Sequence, residues 1–447
     1  MGLLDRLRGQ DGPRVAFFGI DGVPFRLIEN HPEVFEHLSS MQATGSGGAI
    51  ESIVPPESSA CWPSLTTGVN PGKTGVYGFQ DREIGSYETY VPMGRDVRAP
   101  RLWDYVEQAG RSATVMNVPI TFPPQRDIQR MVSGFLSPEL EKACHPDSLA
   151  SELEEMGYRI DVNAQLGHEA DKTAFIEDAH ESLKARFRAF KRYVEADDWD
   201  LFFGVFMTPD RVNHFLFEDY EQDGTYRDAF LEFYATLDEY LGELVETMPG
   251  DVTTLVASDH GFTTLDREVY LNHWLRSEGW LSYQNEDHEK LADIADETRA
   301  YSLIPGRFYL NLEDREPRGS VSRGDYAETL EELTDMLEGL TGPDGSAVVD
   351  RVVRGSNVFT GDHDDIAPDL VALPSDGFDL KAGFSDRNGI FDKGARNGMH
   401  TFGDATLVTD APSVSLEDVN LFDITPTILD MLEVDHDPAS FEGRSLA

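Results

Sequence analysis

Three short runs of the chain, VAFFGI (15–20), LFFGVF (201–206) and TTLVAS (253–258), lack the apolar/polar alternation of a half-exposed strand. Each is bounded by polar or turn residues, which predicts strands buried on both faces of a parallel sheet. A fourth strand is expected at SATVMNV (112–118). Between these runs the apolar positions recur with helical spacing, at 101–109, 172–194 and 224–247. Strands alternating with helices read as an α/β protein with helices on both faces of the sheet.

The texture changes after residue 262. Residues 263–300 are acidic and aromatic, and then FYLNL (308–312) reads as a strand and 324–340 as a helix. Two further strands are expected at 348–353 and 369–373. We expect an inserted, smaller α+β lobe over 265–390 and a core made of 11–264 and 391–447. The last segment, VNLFDITPTILDMLEV (419–434), has helical apolar spacing and is expected to pack back on that core.

Charge changes this picture at the surface. The chain has 82 acidic side chains against 37 basic ones, a formal net charge of −45, and the acid is spread along its length rather than gathered in a tail. Self-repulsion of this size is relieved when concentrated salt screens it, so the surface reads as salt-adapted, as in a halophilic archaeon. No basic patch is present to displace counterions from a nucleic acid, and nucleic-acid binding is excluded as an expectation. Cys61 and Cys144 are the two cysteines and have no CxxC spacing, so thiol ligation of metal is not expected. The MGLLDRLR start lacks a signal-peptide apolar core and reads as a frayed terminus or amphipathic turn; no run approaches a membrane span. The expectation is a cytoplasmic protein.

Candidate chemistry gathers at the strand ends. VAFFGI runs into Asp21, LFFGVF leads through Met207 and Thr208 to Asp210, and TTLVAS ends at Asp259 and His260. In open α/β sheets, sites form outside the carboxyl ends of the strands. In TPDRVNH, Thr208 can cap a helix with Pro209 in its first position, which puts Asp210 and His214 one turn apart on one face. Such a pair can hold a metal ion or make a plain surface contact. DHG at 259–261 can be ligands or a turn, and His400 in RNGMHTFGD can be a ligand or a loop residue. As a set, Asp21, Asp210, His214, Asp259, His260 and His400 approach the roughly six to eight donors that two ions sharing a site require, and mixed nitrogen and oxygen donors suit Zn²⁺ first and Mn²⁺ second. His31, His37, His180 and His288 lie in polar or acidic stretches and read as solvated.

The ordered motifs GIDGV (19–23), PPESSACWPSLTTGVNPGKTG (55–75), TPDRVNH (208–214), SDHGF (258–262), GMH (398–400) and DITPTILDML (423–432) resemble the alkaline phosphatase superfamily, in particular its type I phosphodiesterase/nucleotide pyrophosphatase branch. The resemblance runs nearly end to end. It implies an α/β/α sandwich and a hydrolase of a small phosphorylated substrate, phosphodiester or phosphomonoester. Asp210, His214 and His400 would hold one divalent ion, and Asp21, Asp259 and His260 the other. The nucleophile of the family stands ten residues before the glycine of a TG-x-x-P element, here Gly68, and so falls on Ser58, bridging towards the second ion. Ser59 is the nearest rival. Asn117 would orient a phosphate oxygen, or else serve as a loop-capping amide. CWPS at 61–64 imitates the sulfatase motif, but Cys61 stands three residues too late and Leu65 replaces the required Arg, so Cys61 is expected to be a packed helix residue. The branch usually has Thr where this chain has Ser, and often GKHG where it has GKTG; both departures bear on substrate. A phosphomutase and a non-catalytic metal-binding protein stand as alternatives. Arg307, Arg315 and Arg318 are expected to pair with surface carboxylates rather than to meet a substrate anion.

Overall fold

A computed structural model describes residues 12–447 apart from 197, 386–388 and 413. The MGLLDRLR start lies outside the described residues. The first half of the chain contributes β1 (Arg14–Ile20), α1 (Glu36–Thr44), β2 (Ser46–Ile50), α2 (Ser58–Thr67), α3 (Leu102–Gln108), β3 (Ala113–Val118), β4 (Arg130–Ser133), β5 (Cys144–His145) and α4 (Thr173–Val194). Next come β6 (Leu201–Phe206), α5 (Thr208–Glu221), α6 (Arg227–Thr247), β7 (Val252–Ala257) and β8 (Gly261–Tyr270). The remainder contributes β9 (Ala300–Leu303), β10 (Arg307–Leu310), α7 (Tyr326–Glu338), β11 (Val349–Arg354), β12 (Leu370–Pro374), β13 (Gly377–Lys381), β14 (Gly398–Thr401), β15 (Ala405–Thr409) and α8 (Ile424–Met431).

Eight strands form the main sheet in the order β2-β15-β7-β1-β6-β3-β4-β5. The central run β7-β1-β6-β3-β4 is parallel, and β15 joins β7 and β2 antiparallel. Every residue of β1 and β6 is buried. Their uniform apolarity follows from layers on both faces. Ala16, Phe18 and Ile20 of β1 face Phe190 of α4, Phe217 of α5 and Tyr234 of α6. Val15 and Phe17 face Trp62 of α2, Trp103 of α3 and Ile428 of α8. This is the α/β/α sandwich expected, and α8 does pack back on it.

A second antiparallel sheet, β9-β10-β12-β11, carries α7 and has its own core around Tyr301, Phe308 and Leu333. β8 starts at the site and runs ten residues, pairing parallel with β13 and antiparallel with β14. Residues 264 and 265 both lie in it, so backbone pairing is continuous across the expected junction. Buried ion pairs fasten the second sheet to the segment after α2: Arg307 meets Asp81 at 2.5 Å, and Arg82 meets Glu316 at 3.0 Å. Arg307 is thus a fully buried clamp, not the surface partner expected. His288 is likewise buried, stacked on Tyr283, rather than solvated. Among the described residues no helix is long and apolar enough to cross a membrane.

Candidate functional site

The neighbours β7, β1 and β6 are parallel, so their carboxyl ends share one rim. Asp259, Asp21 and Asp210 follow those ends, and all three are buried. β8 and β14 pair Phe262 with His400, which brings His400 over the same rim. α2 begins with Ser58, and α5 carries Asp210 and His214 on one face, with Oδ1 and Nε2 3.4 Å apart. Five separate segments therefore deliver the expected residues to one place. Thr208 does not cap α5 as expected: it is the first helical residue and its hydroxyl makes no hydrogen bond among the described residues.

Donor atoms of Asp21, Asp259 and His260 lie within 4.8 Å of one another, as do those of Asp210, His260 and His400. His260 is common to both sets. His214 completes the second set, with its Nε2 3.1 Å from that of His400. Ser58 Oγ lies 3.3 Å from Asp21 Oδ1 and 3.2 Å from His260 Nε2. Ser59 is buried, and its hydroxyl meets neither group.

The hydrogen bonds around the cluster set its chemistry. Each imidazole places Nδ1 against a backbone carbonyl: His214 on Gly398 at 3.1 Å, His260 on Gly261 at 3.0 Å and His400 on Pro56 at 3.1 Å. A carbonyl only accepts, so Nδ1 carries the proton and Nε2 turns a lone pair into the cluster. The facing Nε2 atoms of His214 and His400 then repel unless a cation lies between them. Asp210 Oδ1 and Asp259 Oδ2 are buried without a hydrogen-bond partner among the described residues. Orphaned carboxylate oxygens beside oriented imidazole lone pairs fit divalent metal ions.

Burial raises the Asp21 carboxyl well above its ordinary value, helped by Asp259 and Asp210. Burial, with Asp210 behind it, pushes Asp259 up to about 7, against the Gly22 N–H bond at 3.1 Å. Asp210 goes the other way: burial would raise it, but the Arg211 guanidinium paired with it at 3.0 Å helps hold it well below the usual range. Burial keeps His214 and His260 in the neutral, ligating form.

Three supporting groups escaped the sequence reading. Trp62 donates to Asp21 Oδ2 at 2.6 Å; it stands four residues after Ser58 on the same helix face, a spacing that could have revealed it. Arg211 pairs with Asp210 at 3.0 Å and Asp161 at 2.9 Å. Gly22 adopts φ +67° so that its N–H reaches Asp259. Asn117, expected to orient a phosphate oxygen or to serve as a loop-capping amide, lies in β3. It is wholly buried, donates from Nδ2 to the Val205 carbonyl at 3.1 Å and accepts from the Tyr158 hydroxyl at 3.1 Å. Both ends of its amide thus bond to the scaffold. Cys61 is packed inside α2, as expected. Pro63 lies in the second turn of that helix.

A cavity of about 300 Å³ opens from Ser58, Asp210, His214 and His400 towards the second sheet, where Ile304, Leu373 and Leu380 wall it.

The family model for type I phosphodiesterase / nucleotide pyrophosphatase matches residues 15–402. No curated protein matches the chain in sequence. Among solved structures, phosphonoacetate hydrolase from Sinorhizobium meliloti 1021, in complex with phosphonoformate, superposes with a TM-score of 0.57 at 16% identity, covering 94% of this chain and 96% of that one. Murine ectonucleotide pyrophosphatase / phosphodiesterase 5 does so with a TM-score of 0.57 at 14% identity, covering 96% and 97%. At such identities the likeness is one of fold.

Proposed function

The chain belongs to the type I phosphodiesterase / nucleotide pyrophosphatase family and is a phosphoric ester hydrolase; from that premise we propose that it acts through Ser58 with two divalent metal ions. Asp210, His214 and His400 would hold one ion, and Asp21, Asp259 and His260 the other, with Zn²⁺ preferred by donor type. When bound, such ions supply the Lewis acidity that turns a serine hydroxyl into a nucleophile and neutralises charge on phosphoryl oxygens.

The residues divide the remaining work. Ser58 Oγ attacks phosphorus; an Oγ–P bond forms, the P–O bond to the leaving group breaks, and a phosphoseryl enzyme results. Water then attacks phosphorus, the Oγ–P bond breaks, and the Ser58 hydroxyl is restored. Ser58 is the first residue of α2, so the phosphoryl oxygens meet the positive end of that helix. The three Nδ1–carbonyl bonds keep the imidazoles from turning during the cycle. The segment 265–390 acts as a separate lobe that supplies the far wall of the cavity and bears on the choice of substrate, a small phosphorylated molecule. The acidic surface suits a cytoplasm rich in salt.

One observation carries this reading: Ser58 Oγ sits within 3.3 Å of both Asp21 and His260, in a cluster whose lone pairs converge. Ser58→Ala is expected to abolish turnover of 4-nitrophenyl phosphate and bis(4-nitrophenyl) phosphate while metal content stays constant. Turnover retained by the variant would overturn the assignment.

A further inference from the structure

Three cations line the cavity beside Ser58: Arg211, Lys381 and Arg396. Two are spoken for. Arg211 pairs with Asp210 and Asp161, and Lys381 with Asp379. Arg396 makes no ion pair and no hydrogen bond through its guanidinium among the described residues, although the chain has 82 acidic side chains against 37 basic ones. A shortage of carboxylates does not explain its isolation.

Its placement is held by the backbone. The next residue, Asn397, donates its N–H to the His214 carbonyl at 2.8 Å and accepts from Leu265 N at 2.8 Å. Arg396 is therefore pinned beside the helix that carries two donors. Its charge reaches both His214, in the donor cluster, and Asp379, on β13 at the second-sheet side. Arg396 is half-buried and lines the same cavity as Ser58, His214 and Leu380. That wall is apolar, built from Phe79, Ile304, Pro305, Leu373 and Leu380. A half-buried guanidinium with no hydrogen-bonded carboxylate is partly dehydrated, and its planar fork suits carboxylate and phosphate alike.

Resting on the hydrolase reading above, we propose that Arg396 is a specificity residue, selecting phosphate esters whose apolar substituent carries a second anionic group. The scissile phosphate already has the donor cluster and the start of α2. Arg396 lines the same cavity as Leu373 and Leu380, where a substituent packed against those two residues would present its own charge.

The test is calorimetric binding to the Zn²⁺-loaded protein of two non-hydrolysable probes, 4-(carboxymethyl)phenylphosphonate and its carboxamide. Wild type is expected to prefer the carboxylate by about tenfold, the scale of one charge-assisted hydrogen bond. Arg396→Ala should bring the ratio close to one, and Arg396→Lys should retain part of it. A third probe with phosphonate in place of the carboxylate tells which anion fits better. A ratio of one in wild type, a ratio unchanged in Arg396→Ala, or no binding of any probe overturns the proposal. Failure of the proposed Ser58 mechanism looks different: 4-nitrophenyl phosphate would then be turned over equally with and without the Ser58 hydroxyl. An enzyme that loses turnover with Ser58→Ala yet ignores the carboxylate sinks only the role of Arg396.

Discussion

Trp62 shows how much of the site depends on a residue that touches no substrate. Its indole N–H holds one oxygen of Asp21 and leaves the other for Ser58. Gly19 makes this reach possible: a Cβ there would stand 2.4 Å from the indole ring. Trp62→Phe keeps most of the ring volume and removes the donor, so Asp21 loses the bond that orients it. Zn²⁺ affinity is expected to fall about 10–100-fold, the usual cost of deleting a group that orients a metal ligand. Competition against a chelating dye measures this, and an unchanged affinity would show that Asp21 needs no such anchor. Single residues also mark the limit of sequence reading. Asn117 reads in one dimension as an anion contact or a capping amide and Arg307 as a surface ion-pair partner, yet both are consumed by partners far along the chain, Val205 and Asp81. Nothing local to either residue announces those partners.

At the scale of elements, α1 depends on a neighbour for its cap. Phe35, at its N-cap position, has no side-chain acceptor to offer. Asp238 on α6 supplies one from across the packing, accepting the N–H groups of His37 at 2.8 Å and Leu38 at 3.0 Å. Asp238→Ala should cost about 1–2 kcal/mol, the scale of a lost cap with orphaned donors. Urea unfolding measures it, and turnover should be unaffected because α1 is remote from Ser58. The buried parallel strands were legible because burial on both faces writes one uninterrupted apolar run, as in LFFGVF. β8 was not. Its sequence GFTTLDREVY mixes exposed charge with buried apolar positions, and its partners β13 and β14 lie more than a hundred residues on. The metal-ligand candidates were legible for the opposite reason. Asp21, Asp210, Asp259 and His260 sit next to those apolar runs, and parallel pairing converts adjacency in sequence into convergence in space.

The whole molecule has a net charge of −45 to accommodate. Salt shortens the reach of that repulsion from about 10 Å at 0.1 M to about 3 Å at 1 M. The folded state concentrates the charge and gains most from screening. The melting temperature should therefore rise steadily from 0.1 M to 2 M NaCl, followed by circular dichroism; a flat or falling curve would show that the carboxylates are already neutralised by their ion pairs. The cluster around Ser58 is a property of this scale too. Its donors come from positions 21, 210, 214, 259, 260 and 400, so no fragment of the chain contains the set. A growing polypeptide cannot close the arrangement until residue 400 has left the ribosome. An ion at the proposed Asp210, His214 and His400 set would thereby be taken up only near the end of synthesis, whereas Asp21, Asp259 and His260 are all present once residue 260 is made.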